Sequence, residues 1–336
     1  MIKIIATTAT ELCQIRNSEN DVINPMKQKV IVSNSKGMST FFSTPIYSGN
    51  SFRGKLRRAS LEMMMEKAVE KDINISTLDF HLMNSGGGSN FQAQNFETVK
   101  AVRGINPLVS LFGASLAISG KLITPNLIPY RNVEDGEKEY YMHETEDGRI
   151  FSTIITNETN RDQFVTPDDL LDRRGNARFL DEEQIIEWEE EAGENQSDRA
   201  RTRNSENNDG NKVKKKTIKA FLARDYVIRG VDFYTSLSPM PTCELTELEY
   251  GMLVRALERV IVSNFGSNTA RDFGKMEFNI DFNDGSELET AVDAFGTAKI
   301  VKKTYKGKTK EAVALFDDWL ENDFSQNVFN IAEKMK

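Results

Sequence analysis

Four cations fall within six positions just after a run of small residues: Arg53, Lys55, Arg57 and Arg58 follow Ser48-Gly49-Asn50-Ser51. Guanidinium groups present fork-shaped donors that match phosphate oxygens, and an ammonium adds a compact charge. Small residues at a helix start would let a polyanion reach amide N–H groups that lack intrahelical acceptors. The stretch therefore reads as a phosphate-binding corner made of Gly49, Asn50, Ser51, Arg53, Lys55, Arg57 and Arg58. Gly49, Gly54 and Lys55 also fit the Walker A spacing, but Leu56 stands where that motif needs a hydroxyl for magnesium. Nucleotide hydrolysis is disfavoured on that ground. A plain basic amphipathic helix with a glycine start is the competing explanation.

The elements that must position this corner are a strand and a helix. Met38 to Tyr47 is strand-like, and Phe52, Leu56, Ala59 and Met63 recur on one face of a helix expected from about Phe52 to Lys71. Upstream, residues 1–12 and 28–47 read as strands, with Asn34-Ser35-Lys36-Gly37 as a turn. Asn74 to Phe96 reads as irregular, its Gly86-Gly87-Gly88 run as a flexible loop, and His81 as a local structural residue. Asn106-Pro107 starts the second of two helical pieces in residues 96–115. Leu116 to Tyr130, with Pro125 and Pro129, reads as extended edge strand. Residues 217–237 return to strand character, Thr246 and Glu249 form a capping box, and a helix follows to about Ser263. Glu277 to Phe282 is a strand, Asn283-Asp284-Gly285 a turn, and helical patterns close the chain, with Trp319 in the core.

Composition sets the outer limits. The 336 residues carry a net charge of -8, but the excess acid is local. Residues 1–129 hold about 14 Lys+Arg against about 9 Asp+Glu, residues 130–194 about 7 against about 20, and residues 195–336 about 22 of each. The part bearing the cationic corner is thus basic. Three segments are expected: 1–129, an acidic insertion at 130–216, and 217–336. Within the insertion, Val133 to Asn157 reads as a small hairpin, and Thr166-Pro167-Asp168-Asp169 as a helix start. Residues 193–211, almost without apolar side chains, are expected to be disordered or weakly ordered. Two cysteines, Cys13 and Cys243, give no disulfide framework, and with His81 and His143 they make no zinc site of usual spacing. No apolar run approaches the roughly 18 residues of a membrane span, and Met1 to Ile5 reads as a first strand rather than a signal peptide. The expectations are a cytoplasmic location, no membrane, no metal and no cofactor.

Three segments resemble motifs of the RAMP superfamily, the RRM-like proteins of class one CRISPR effector complexes, in the order that family has them. Pro45 to Arg58 resembles its "P-G-S-S-L-K-G-x-L-R" segment. Leu111-Phe112-Gly113-Ala114, followed by Ser119-Gly120-Lys121-Leu122, resembles its "L-F-G-S" helix end and following strand. Gly266 to Met276 resembles its glycine-rich loop after the second helix, with two departures: Asp272 replaces the first glycine of "G-F-G", and Ser267-Asn268-Thr269 replaces a glycine-rich lead. The version in this chain looks most like the type IV backbone protein, with the type III backbone subunit next.

The order of elements alone suits an α+β protein with a β-α-β-β-α-β, ferredoxin-like core; the resemblance implies the same RRM-like core (the palm) with large insertions forming finger and thumb elements. It implies a backbone subunit that binds CRISPR RNA and repeats head to tail along the guide. The guide would be presented to target DNA or RNA beside other CRISPR effector subunits. Ser267, Asn268, Arg271 and Lys275 would give a second RNA grip beside the corner, and Lys55 could instead face a neighbouring copy. No catalytic residue is expected: the loop around Gly86 to Gly88 lacks the aspartate that cleaves target RNA in type III relatives, and Asp79 precedes it. Two alternatives remain open, a metal-independent ribonuclease that processes guide precursor and a target-cleaving backbone subunit. A protein-only assembly unit is a third.

Overall fold

A computed structural model of the chain describes residues 1–19, 22–33, 39–86, 94–114, 118–129, 143–144, 150–151, 159–166, 220–267 and 269–335. The turn expected at residues 34–37, Gly87 and Gly88, the helix start after Thr166, the weakly ordered stretch 193–211 and Asn268 lie outside them. The chain divides into two compact units, one of Met1–Asn17, Asn24–Asn160 and Asp225–Lys336, the other of Ser18–Ile23 and Arg161–Arg224.

The first unit is a mixed helix and antiparallel-sheet structure, the α+β class expected from the sequence. Its central strand is β1 (Ile2–Thr8), where alternation buries Ile2, Ile4, Ala6 and Thr8 on one face. On one side β1 pairs antiparallel with β12 (Asp232–Pro239), placing Ile4 opposite Thr235. On the other it pairs antiparallel with β13 (Met276–Asp281), placing Ile4 opposite Ile280. Two short strands, β6 (Leu122–Ile123) and β7 (Ile128–Pro129), continue the sheet beyond β12. Beyond β13 come β14 (Glu287–Val292) and β15 (Ala298–Thr304), giving the order β15-β14-β13-β1-β12-β6. Taking β1, helix α1 (Gly49–Glu70), β6, β12, helix α5 (Glu247–Val260) and β13 in turn gives a β-α-β-β-α-β succession.

Most element boundaries follow from capping chemistry. Ser48 caps α1, and the stripe Phe52, Leu56, Ala59 and Met63 is buried as its spacing predicts. Thr246 and Glu249 form the expected capping box on α5, Glu249 accepting the Thr246 amide at 2.8 Å. The structure adds Lys121, whose Nζ lies 2.8 Å from Glu249 and ties β6 to the start of α5. Helices α3 (Phe96–Ile105) and α4 (Pro107–Phe112) meet at Asn106, whose Oδ1 accepts the Val109 amide at 2.9 Å. Ring contacts join the layers: Phe265 lies 6.2 Å from Phe52 of α1 and 5.1 Å from Phe278 of β13. Helix α6 (Gly307–Asp318) packs on α5 where Gly251 admits the Ala312 carbonyl. Trp319 is only partly buried, but it stacks on Phe316 as a core residue would.

Three expectations are corrected. The stretch Asn74 to Phe96 is not irregular throughout: α2 (Thr77–Ser85) forms in it, with Ser76 as cap and Gly86 as a left-handed C-cap. The strand expected across residues 217–237 breaks at residues 228–231, where Gly230 turns the chain between β11 (Ala220–Val227) and β12. The strands β14 and β15 were not expected, because in β15 (AKIVKKT) only Ile300 and Val301 present an apolar signal.

In the same unit, β4 (Lys27–Ser33) and β5 (Ser39–Pro45) form an antiparallel pair with Val30 opposite Phe42. A short ladder joins β8 (His143–Glu144) to β9 (Ile150–Phe151). The second unit draws on a four-stranded sheet in the order β10-β11-β3-β2, with β2 at Ile15–Glu19, β3 at Val22–Pro25 and β10 at Thr159–Thr166. There Ala223 and Arg224 of β11 run parallel to Val22 and Ile23.

Two glycines test how tightly the first unit is built. Gly274 has φ 83°, and a Cβ there would collide with the Phe265 carbonyl. Gly104 lies inside α3 with open space around it. Gly274→Ala should cost at least about 2 kcal/mol in urea melts, whereas Gly104→Ala should add about 0.5–1 kcal/mol. Equal effects would contradict this packing.

Candidate nucleic-acid interface

Helix α1 carries the cationic corner, and its first turn is the first surprise. The Gly49 amide donates to Asn126 Oδ1 at 2.8 Å, and the Ser48 amide to Gln14 Oε1 at 2.5 Å. The Ser51 amide faces Ser48 Oγ, and Ser51 Oγ accepts from Gln14 Nε2 at 2.6 Å. The expected approach of a polyanion to the amides at this helix start is therefore blocked at Gly49. Gly49 is needed for another reason: the backbone of Thr124 and Pro125 crosses where its Cβ would stand. Asn126 and Gln14 supply acceptors that a sequence could not reveal, being 77 and 34 residues away.

The cations, by contrast, face a groove. Arg53 Nη2 donates to the Phe112 carbonyl at 2.7 Å, and Arg57 Nη2 donates to the same oxygen and to the Gly113 carbonyl at 3.1 Å. The Arg57 guanidinium also lies over the Phe112 ring, 6.0 Å from its centroid. Phe112 is the last residue of α4, so both cations meet carbonyls at the negative end of a short helix. Gly120 and Gly86 leave room for them: a Cβ at Gly120 would strike Arg53, and one at Gly86 would strike Arg57. Among the described residues, Arg53, Lys55, Arg57 and Arg58 make no ion pair with a carboxylate. Arg53 Nε is buried without a hydrogen-bond partner.

Electrostatics register this arrangement. Burial, and then the Arg53 charge beside it, pull Arg57 down to about 10. Burial alone lowers Arg53. Burial and then Arg58 lower Lys55, with Glu62 opposing weakly. For a base the downward shift means that folding disfavours the charged form. Stability is therefore lower while Arg57 is protonated and recovers as pH climbs from about 10 towards the ordinary arginine value. An anion bound here would relieve the same cost at neutral pH.

Two hollows flank the exposed ridge Asn50, Gly54 and Arg58 of α1, and those three residues line both. The first, about 860 Å³, runs past Arg53 and Arg57 to Gly120, Leu122 and Met240, with Ser85 and Gly86 on its wall. The second, about 950 Å³, holds Lys55, Tyr47, Gly266, Ser267, Thr269 and Ala270. There Lys55 Nζ donates to Ser263 Oγ at 3.1 Å and lies 5.0 Å from the centre of the Phe265 ring. Burial pushes the Tyr47 phenol up to about 12, so it meets any ligand neutral. The two hollows thus share Asn50, Gly54 and Arg58 as a common wall, one lying on the β6 side of α1 and the other on the glycine-loop side.

The second expected grip is only partly assembled. Ser267 reaches the groove, but its amide and hydroxyl both donate to the Cys13 carbonyl, at 2.7 and 2.9 Å. Lys275 does not line either hollow: its Nζ pairs with Asp272 and lies against Gly296. Arg271 sits in a single 3₁₀ turn, Thr269–Arg271. Asp272, expected to make the loop less permissive than glycine, adopts the left-handed conformation itself, with φ 68°. Asp79 is committed to structure, since Oδ1 accepts the Ala332 amide at 2.7 Å and Oδ2 meets Ser76 Oγ. His81 is exposed on α2 and contacts Ser85 Oγ at 3.3 Å. Sequence reading missed Gly86, Gly120 and the Phe112 carbonyl as parts of the site, because their contribution is space and a backbone oxygen, not side-chain chemistry.

The fold and site define an α+β protein with two cation-lined hollows beside its first helix. No protein-family model matches the chain, and no curated protein matches it. Among solved structures, a chain of "Type IV-B CRISPR Complex" is similar over 84% of this chain and 90% of its own, with a TM-score of 0.44 and 11% identity. A likeness that distant carries no functional inference. Among the described residues no helix is long and apolar enough to cross a membrane, and no cluster of His, Cys, Asp and Glu is arranged to hold a metal ion.

The groove yields a direct test. Arg53 shares its acceptor with Arg57, so Arg53→Met leaves the Phe112 carbonyl bonded while deleting a half-buried charge. Urea melts should find the variant unchanged or up to about 1 kcal/mol more stable, and added sulfate should raise Tm less than in the parent. A loss above about 1 kcal/mol would make Arg53 a structural residue.

Proposed function

We propose that this chain is a guide-binding subunit of a CRISPR effector complex, holding single-stranded RNA along the two hollows beside α1. The observation that supports this most is the set of cations, Arg53, Lys55, Arg57 and Arg58, lining two adjoining hollows beside α1 with no carboxylate partner among the described residues. Their fork-shaped donors fit successive phosphates, and phosphate contacts carry no sequence information, so any guide is accepted. The resemblance to RAMP motifs implies RNA contacts by the same residues, with Lys55 alternatively facing a neighbouring copy. On this reading the chain works by binding, with copies of itself and other effector subunits beside it, and the bases of the guide stay free to pair with target nucleic acid. Asp79, which precedes the glycine run in sequence, braces the Ser76 cap of α2 and holds the Ala332 amide, so its carboxylate is engaged in structure, which supports a binding rather than a cleaving role.

The expected behaviour is ionic. Affinity for single-stranded RNA should fall with salt on a log–log slope of about −3 for four phosphate contacts, independent of sequence. Arg58→Gln, an exposed change, should reduce that slope by about 0.7 without altering stability. Protein purified with a matching CRISPR array should carry RNA of one defined length, and the combined Arg53→Ala, Arg57→Ala and Arg58→Ala variant should lose it while staying folded. Nucleic-acid-free protein under both conditions would sink this reading.

A further inference from the structure

Lys55 sits in a setting that a simple phosphate contact does not require. It lines the hollow of about 950 Å³ on the glycine-loop side of α1. Among the described residues lining that hollow, only Lys55 and Arg58 carry a charge, and none is acidic. Tyr47, pushed up to about 12 by burial, stays neutral there. Elsewhere on this surface lysines are tied to carboxylates. Lys67 Nζ lies 2.6 Å from Glu321, and Lys302 Nζ 2.6 Å from Glu287. Those hydrogen bonds hold both ammonium groups above the ordinary lysine value. Lys55 goes the other way: burial first, then the Arg58 charge one turn along, lower it against the opposing charge of Glu62. A desolvated amine beside a second cation is how a lysine becomes a nucleophile.

Ser263 fixes how that amine is presented. Its Oγ donates to the Val260 carbonyl at 2.7 Å, so its one proton is spent and towards Lys55 it can only accept. Nζ gives it one N–H at 3.1 Å. An amine anchored through an N–H keeps its lone pair for another partner. The Phe265 ring, 5.0 Å from Nζ, stands on a second side and attracts the ammonium form. Burial and Arg58 act against that attraction, and the hollow supplies the open approach. The amine is thus held, half-buried and reachable at once.

We infer that Lys55 is an acylation site for small acyl phosphates, with Arg58 holding the phosphate end of the donor. An acyl phosphate is an anion, which an acid-free hollow with two cations suits, and its carbonyl carbon is the electrophile. The Nζ lone pair forms the amide bond to that carbon. The bond from the carbon to the bridging phosphate oxygen breaks, and the phosphate leaves with its electron pair. The proton lost from nitrogen goes to the departing phosphate, so no other reactant is consumed. The amide product is uncharged, which leaves Arg58 as the one cation among the described residues of this hollow. The chemistry does not depend on RNA binding; where that reading holds, acylation removes one phosphate contact.

The test uses the full chain, free of nucleic acid, incubated with acetyl phosphate near neutral pH, with acetylation of each lysine followed by peptide mass spectrometry. Lys302 and Lys310, both exposed, serve as internal references. Lys55 should acquire the label at least about fivefold faster than either. Lys55→Arg should lose that label and keep those of Lys302 and Lys310. Arg58→Gln, a change at an exposed side chain, separates holding the donor from tuning the amine. It should slow labelling of Lys55 by acetyl phosphate at least about threefold more than labelling by neutral N-acetoxysuccinimide, which has no phosphate to hold. Labelling of Lys55 no faster than that of Lys310 would overturn the inference. So would equal slowing by the two reagents in Arg58→Gln, because Arg58 would then act on the amine alone.

Discussion

Two guanidinium groups directed at one carbonyl oxygen are the constraint around which the basic side of this molecule is arranged. Arg53 and Arg57 both need an acceptor, and the Phe112 carbonyl at the end of α4 serves both. Burial makes each charge costly, and like charges set one turn apart add repulsion, so Arg57 is pulled down to about 10. A short helix ending there supplies carbonyls that have no intrahelical partner, and Gly86 and Gly120 keep the approach open. What results is a pair of half-buried like charges with Arg53 Nε left without a hydrogen-bond partner.

That arrangement depends on a well-packed scaffold behind it. Helix α1 is fixed to the sheet by its buried stripe and by the Phe52, Phe265 and Phe278 contacts, while Glu66 and Arg259 join it to α5 at 2.6 Å. The glycine loop after α5 lies against the end of β1, where Gly266 and Gly274 admit the backbones of Cys13 and Phe265. Those close approaches carry Thr269 and Ala270 to the second hollow. The loop therefore serves first as packing and only then as groove wall. Lys275 illustrates the difference: its charge is consumed by Asp272.

The turn that ends α1's approach carries a similar lesson. A glycine and two small polar residues before a basic helix suggest an amide nest, yet Gln14 and Asn126 occupy the amides of Ser48 and Gly49. The chemistry that remains available is in side chains one and two turns further along, on the ridge of Asn50, Gly54 and Arg58 and on its two flanks. A phosphate would be met by guanidinium and ammonium groups rather than by the helix start.

Local chemistry was legible from the residues alone. The capping box at Thr246 and Glu249, the Asn106-Pro107 start of α4, the apolar stripe of α1, the cluster of cations and the α+β class all follow from spacing and from hydrogen-bonding groups within a few residues of one another. Helix α2 was hidden because Ser76 and its nine residues lie beside a glycine run, and β15 because its strand signal is diluted by lysines. The partners of the site were not legible at all: the Phe112 carbonyl, the space left at Gly86 and Gly120, and the acceptors Gln14 and Asn126. These are contributions of backbone atoms, of missing atoms and of residues distant along the chain. A sequence records which side chains exist and how they recur, whereas which backbone oxygen meets which cation is decided only when long-range packing brings them within 3 Å.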